Sequence, residues 1–217
     1  MRFAELDAVT VDGYGTLVRL LDPVPSLVRS LEECGIDRDP KLVRAAFRAE
    51  VGYYRPEAVR GRDADSLFRL RCDCTRVFLD AAGVDLEPES FVDDFMAAIR
   101  FEAVPGAITT LEQLRGRGLD LAVVSNWDVG LAEHLEQIGA DHLFSTVVTS
   151  AEAGAAKPDP AAFRLALQRL GVEPARALHV GDEAEDEEGA AAVRGGSYRV
   201  ENARPRRELA ERPTRPQ

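Results

Sequence analysis

Four polar residues of this chain stand where α/β proteins do their chemistry. Asp12 ends the β-branched run Val9-Thr10-Val11. Ser125 ends the apolar run Leu119 to Val124, and Asp182 follows Ala177-Leu178-His179-Val180-Gly181. Lys157 lies on the loop after a fourth run, Phe144 to Val148. In open α/β sheets, ligands bind outside the carboxyl ends of the strands. A carboxylate, a hydroxyl, an ammonium and a second carboxylate converging there can hold a nucleophile, an anion and a divalent cation together.

The elements that must position these groups follow from pattern. Short apolar runs closed by glycine, as at Gly13-Tyr14-Gly15, read as buried strands entering turns. Ile108, Leu111 and Leu114 mark a helix stopped by Gly116 and Gly118. Asp128 can cap a helix through Leu131, Leu135 and Ile138, which Gly139 ends. Pro158 and Pro160 open a helix carrying Phe163, Leu167 and Leu170. A short helix follows Asp182, and Ser197 to Val200 reads as a weak last strand. Strands alternating with helices in this way predict a doubly wound parallel sheet.

Between the first strand and the rest lies a long stretch with helical periodicity. Leu27, Leu31, Val43, Phe47, Leu67, Leu70, Val77 and Phe78 recur at three- and four-residue steps. Gly35, Pro56, Gly83 and Pro88 divide it into four helices. The expected organisation is a discontinuous core, residues 1–19 and 103–200, with a mainly helical cap inserted at 20–102. Residues 201–217, with Pro205, Pro213 and Pro216, read as a poorly ordered tail.

Four segments carry a family resemblance. Asp12-Gly13-Tyr14-Gly15-Thr16-Leu17, Val123-Val124-Ser125-Asn126, Lys157-Pro158-Asp159-Pro160 and Gly181-Asp182 with Asp186 resemble the four motifs of the haloacid dehalogenase-like hydrolases. Their order, their spacing and the inserted helices agree with that family to about Val200. The resemblance implies a Rossmann-like core and Asp12 as a nucleophile that forms an acyl-phosphate. It implies Mg²⁺ held by the carboxylates of Asp12 and Asp182 and the backbone carbonyl of Tyr14. Ser125 and Lys157 would then hold the transferring phosphoryl group. Thr16 and Asn126 either contact the substrate or satisfy local backbone. The last motif calls for a second acid four or five residues after Asp182. Asp186 and Glu187 both qualify, and the distance to Gly189-Ala190 favours Asp186 as the metal's further support.

One position departs from the family's phosphatases. They carry a second Asp two residues after the nucleophile, which protonates the leaving group; here that residue is Tyr14. Loss of such a group typically costs about 10²–10⁴-fold. Three readings follow: a Mg²⁺-dependent phosphatase of selective activity on a small phosphorylated substrate, a metal-independent 2-haloacid dehalogenase, or a non-catalytic phospho-ligand binder. The dehalogenases resemble this chain at Asp-x-Tyr-Gly-Thr, and halide departure needs no proton. Asp182, however, would oppose a haloacid's own carboxylate, which favours the phosphatase. A dinucleotide fingerprint fails, because its third glycine would fall at Val18.

Other groups have simpler readings. Trp127 faces the cleft or packs, and Tyr53, Tyr54, Arg55, Arg60 and Arg62 form either a leaving-group reader or a salt-bridged cap surface. His134 and His142 lack ligand spacing, and His179 reads as structural.

Composition limits the remaining classes. The chain has 217 residues, with 27 Lys+Arg against 38 Asp+Glu and a net charge of −11. That charge argues against nucleic acid as a partner. No apolar run is long enough to span a bilayer, and the first residues carry no apolar signal region. Three cysteines, two of them at Cys72 and Cys74, give no zinc spacing and fit a reduced cytoplasmic protein. The expected state is a monomer or homodimer. Residues 182–188 hold six acids in seven positions, so much of the charge reads as a cation-attracting rim beside the proposed site.

Overall fold

The computed structural model describes residues 5–200. The tail expected at 201–217 lies outside the described residues. Five strands form one parallel sheet: β1 (Ala8–Val11), β4 (Asp120–Ser125), β5 (Thr146–Thr149), β6 (Ala177–Gly181) and β7 (Gly196–Arg199), in the order β5-β4-β1-β6-β7. The central strand β1 is buried along its whole length, as its unbroken apolar and β-branched composition requires in a sheet covered on both faces.

Helices cover the two faces. On one, α5 (Ala107–Gly116) and α6 (Leu131–Gln137) place Leu111, Leu131 and Leu135 against Val9, Val11, Leu121 and Val123. On the other, α8 (Ala161–Leu170) and α9 (Ala184–Ala192) place Phe163, Ala166 and Ala190 against Ala122, Val124 and Val148. A short helix, α7 (Ser150–Ala153), follows β5 directly. The doubly wound α/β reading therefore holds.

The insertion after β1 is helical, and it consists of α1 (Val24–Glu33), α2 (Pro40–Glu57), α3 (Ala64–Ala81) and α4 (Pro88–Ala98). It has an apolar centre of its own, in which Leu27, Leu31, Phe47, Phe78, Phe91 and Phe95 pack together. Phe78 lies 5.1 Å from Phe95 and 6.4 Å from Phe91 between ring centroids.

The two crossings into the insert are strands, a feature not expected from the sequence. β2 (Val18–Leu20) pairs antiparallel with β3 (Phe101–Ala103), Val18 opposite Ala103. Three residues are too few for alternation to show as a pattern. Among the described residues, no helix is long and apolar enough to cross a membrane.

Candidate active site

Strand register gathers the polar groups. Val11 lies level with Val123 on one side and Val180 on the other. Asp12, Ser125 and Asp182 therefore leave the sheet at the same edge. Two glycines make the approach possible. A Cβ on Gly13 would stand 2.8 Å from Ser125 Oγ, and one on Gly181 would stand 2.3 Å from the Asp186 carboxyl group. Glycine follows Asp12, and precedes Asp182, because a neighbouring side chain already fills the space.

Lys157 is the hub. Its Nζ donates to Asp12 Oδ1 at 2.6 Å, to Asp186 Oδ1 at 2.5 Å and to the Val124 carbonyl at 3.2 Å. Ser125 Oγ donates to the same Asp12 Oδ1 at 3.1 Å. Both contacts fall on Oδ1, and among the described residues Asp12 Oδ2 carries no hydrogen bond. Asp12 is 6% exposed and Lys157 4%.

Asp186 is held from three sides. Besides Lys157, its Oδ1 accepts from His179 Nε2 at 3.1 Å, and its Oδ2 accepts from the Glu183 N–H at 3.0 Å. The carboxylate can only accept, so Nε2 carries the proton. Nδ1 of the neutral ring then accepts from the Thr10 hydroxyl at 2.8 Å. Burial lowers the His179 pKa, which keeps the ring neutral. His179 is structural in the expected sense, but what it steadies is the site.

The electrostatics separate the two aspartates. Burial raises the Asp12 pKa, and the Asp186 charge adds to this against the pull of Lys157. Burial also opposes Asp186, yet the hydrogen bond from His179 and the Lys157 charge hold its pKa well below the usual carboxylate range. For Lys157, desolvation is outweighed by attraction to Asp12 and Asp186, so its pKa is raised and it stays charged.

Asp12, Asp182 and Asp186 each present an oxygen, and these atoms lie within 4.8 Å of one another. Thr16 Oγ1 donates to Asp182 Oδ1 at 3.3 Å, so Thr16 is brought to the site. Tyr14 lies against Phe101, edge to face, with centroids 6.5 Å apart. Asn126 accepts from the Lys157 N–H at 2.6 Å and donates to Glu185 Oε1 at 2.9 Å. Glu187, the competing acid, lies outside the cluster and pairs with Arg199 at 2.8 Å.

The acidic run is thus partitioned rather than left as a rim. Asp186 turns inward, Glu185 meets Asn126, Glu187 meets Arg199, and Glu183 meets Arg55 of α2 at 3.6 Å. The aromatic-basic cluster of the insert divides too. Arg60 pairs with Glu57 and Asp73 on the insert itself, while Tyr54 donates to Asp128 Oδ2 at 2.8 Å. Trp127 packs against Phe101 at 5.1 Å and His134 at 5.7 Å. Asp128 accepts from Gly130 N–H at 2.7 Å at the start of α6, as a turn-forming aspartate does.

Three contacts of the site were not expected: His179 to Asp186, Glu185 to Asn126, and Tyr54 to Asp128. Of these residues, Asn126, Asp186 and Tyr54 had been singled out, but each for a contact with substrate or metal rather than with the partner it has. None shows a sequence spacing, because each joins separate elements or reverses across a strand–turn–helix.

A parallel sheet with a helical insertion after its first strand and polar groups at its strand ends defines a class of α/β hydrolase. The family model for haloacid dehalogenase-like hydrolase matches residues 6–194, and the chain belongs to that family. It is 42% identical over 127 residues to haloacid dehalogenase-like hydrolase domain-containing protein 3 of Mus musculus, covering 58% of this chain and 51% of that one. The chain spans about half the length of curated relatives it matches. It is 44% identical over 84 residues to a phosphoserine phosphatase of Thermus thermophilus, 38% of this chain and 34% of that one. Among solved structures, L-2-haloacid dehalogenase from Xanthobacter autotrophicus aligns with a TM-score of 0.65 at 27% identity, over 90% of this chain and 77% of that one.

Proposed function

We propose that this chain is a Mg²⁺-dependent phosphatase that hydrolyses a small phosphorylated metabolite through an aspartyl-phosphate on Asp12. The observation that carries the reading is the approach of Asp182 to Asp12. Their oxygens, with one from Asp186, lie within 4.8 Å of one another. Three carboxylates against the single Lys157 ammonium leave a net −2, a charge that suits a divalent cation and repels a haloacid's carboxylate.

The donor set fits Mg²⁺: Asp12 and Asp182 would supply hard carboxylate oxygens, with Asp186 beside them, and the family resemblance adds the main-chain carbonyl of Tyr14. When bound, the ion offsets the repulsion between nucleophile and phosphate. The chain's own residues do the remainder. Asp12 attacks phosphorus, and the bond from phosphorus to the leaving oxygen breaks with its electron pair on that oxygen. Ser125 and Lys157 steady the charge of the phosphoryl oxygens. Water then attacks the acyl-phosphate, releasing inorganic phosphate and restoring Asp12. The helical insert serves as the cap: Arg55 reaches over to Glu183, the residue after Asp182.

Tyr14 favours a second reading, a 2-haloacid dehalogenase, because such a reaction needs no acid at that position. A paired assay separates the two. Purified protein is offered an activated aryl phosphate or 2-chloropropionate, each with Mg²⁺ and with chelator. Phosphate release that requires Mg²⁺ and is lost in Asp12→Asn is expected. Halide release indifferent to chelator would overturn the phosphatase reading.

A further inference from the structure

Asn126 follows Ser125, the residue whose hydroxyl meets the nucleophile, which makes it an obvious candidate for binding substrate. Its hydrogen bonds point elsewhere. Oδ1 accepts from the Lys157 N–H at 2.6 Å, and Nδ2 donates to the Lys157 carbonyl at 3.3 Å and to Glu185 Oε1 at 2.9 Å. An amide nitrogen has two protons, and both are committed within the protein. An anionic substrate needs donors, and this side chain has none left to give.

The two contacts with Lys157 grip both polar groups of one peptide residue. That grip fixes the rotation of the loop from which the Lys157 side chain projects. The side chain is then fastened at its far end, with Nζ on Asp12, Asp186 and the Val124 carbonyl. Glu185 closes the arrangement, since it fixes which way the Asn126 amide faces. Asn126 thereby ties together the end of β4 that carries Ser125, the loop between α7 and α8 that carries Lys157, and the first turn of α9, just after Asp182.

We propose that Asn126 is a positioning residue: it holds Lys157 in place through its main chain and does not itself bind substrate. This rests on the phosphatase reading for its kinetic consequence, but not for its structural one. Misplacing a catalytic group by about 1 Å can cost about 100-fold in rate.

The test has two arms. In the first, aryl phosphate hydrolysis is measured with Mg²⁺ for wild type, Asn126→Ala, Lys157→Ala and the double variant. The expected result is a kcat lowered about 100-fold in Asn126→Ala with KM little changed, and no further loss when Asn126→Ala is added to Lys157→Ala. Independent, additive losses, or a raised KM with kcat intact, would overturn the proposal. In the second arm, amide hydrogen exchange is followed for a peptide spanning residues 155–160. The Lys157 N–H should be protected in wild type and exchange rapidly in Asn126→Ala, while β4 keeps its protection. An unchanged Lys157 amide sinks the proposal whatever the activity. If wild type releases no phosphate, the functional reading fails and the exchange arm alone decides the positioning role. Should Asn126→Ala not fold, Asn126→Leu keeps the branched shape and offers neither acceptor nor donor. It should release the Lys157 amide, and full protection there counts against the proposal.

Discussion

Tyr54 of the helical insert donates its phenolic hydrogen to Asp128 Oδ2 at 2.8 Å, three residues beyond Ser125. The Tyr54 hydroxyl oxygen in turn accepts from the Asp128 N–H at 3.4 Å. Next to this contact, Val129 N–H donates to the Gly61 carbonyl at 3.0 Å, so insert and core also join through main chain. Burial raises the pKa of Asp128, opposed by its bonds from Gly130 and Tyr54, and Tyr54 is itself pushed well above its usual value by burial. The pair is a dry contact in which each group depends on the other.

Tyr54→Phe removes both the donor to Oδ2 and the acceptor of the Asp128 N–H, and leaves Asp128 buried with two bonds fewer. A cost of about 1–3 kcal/mol is expected. Urea unfolding measures it. Amide exchange at Val129 should quicken in the same variant, because its acceptor is carried by the segment Tyr54 anchors. A loss of stability with Val129 unchanged would show that Tyr54 matters only within the insert.

Glu50 gives a pH-dependent prediction. It lies on the buried face of α2, 4% exposed, beside the Cys74 thiol. Burial raises its pKa from 4.5 to about 7. Above pH 4.5 the unfolded chain releases this proton while the folded one retains it, so stability falls as pH rises. The loss is complete above about pH 7 and amounts to about 3 kcal/mol. Glu50→Gln stays neutral and escapes it. Its advantage over wild type should therefore grow between pH 5 and pH 7 and then level off, as read by urea unfolding. A constant difference across that range would refute the burial argument.

Much of this architecture was legible because β1, β4 and β6 are apolar runs that stop abruptly at a polar residue. Gly35, Pro56, Gly83 and Pro88 likewise mark out the four helices of the insert. What escaped depends on contacts across the chain. Counting along 182–188 does not say which acid turns inward. The vacancy beside Gly181 admits Asp186, while Glu187 is drawn outward to Arg199. Glu50 did leave a signal: it continues the stripe of Val43, Ala46 and Phe47 at helical spacing, a carboxylate where an apolar residue belongs. The β2–β3 ribbon left none at three residues a strand.

Gly181 offers a direct test of that vacancy. In Gly181→Ala the new methyl would stand 2.3 Å from the Asp186 carboxyl group, which is already held by Lys157, His179 and the Glu183 N–H. Asp186 must swing away, at a cost of about 1–3 kcal/mol for overpacking. Gly52→Ala is the control. It lies on α2 with nothing within 4 Å of the added carbon, and should stabilise by about 0.5–1 kcal/mol. Thermal unfolding of both variants, with opposite signs of shift, checks the pair. Equal shifts would mean that the close approach at Gly181 is not what its glycine serves.

Under the proposed phosphatase reading, Tyr14 sets the kind of leaving group this site expels. It stands two residues after Asp12, its ring edge-on to Phe101 of the β3 strand. The departing oxygen carries the electron pair of the broken bond, and a phenol is a far weaker acid than a carboxylic acid to protonate it. Substrates whose leaving oxygen is already stable as an anion escape this need. Wild type should therefore hydrolyse aryl phosphates of acidic phenols far faster than alkyl phosphates. Tyr14→Asp places a carboxylic acid there. It should raise kcat for alkyl phosphates by up to about 10²–10⁴-fold while leaving the activated aryl substrate little changed. Losing the ring contact with Phe101 costs about 0.5–1.5 kcal/mol, which unfolding measurements can separate from the kinetic gain. If both substrate classes respond equally to the substitution, proton donation at this position does not limit the reaction, and the identity of residue 14 governs packing rather than leaving-group choice.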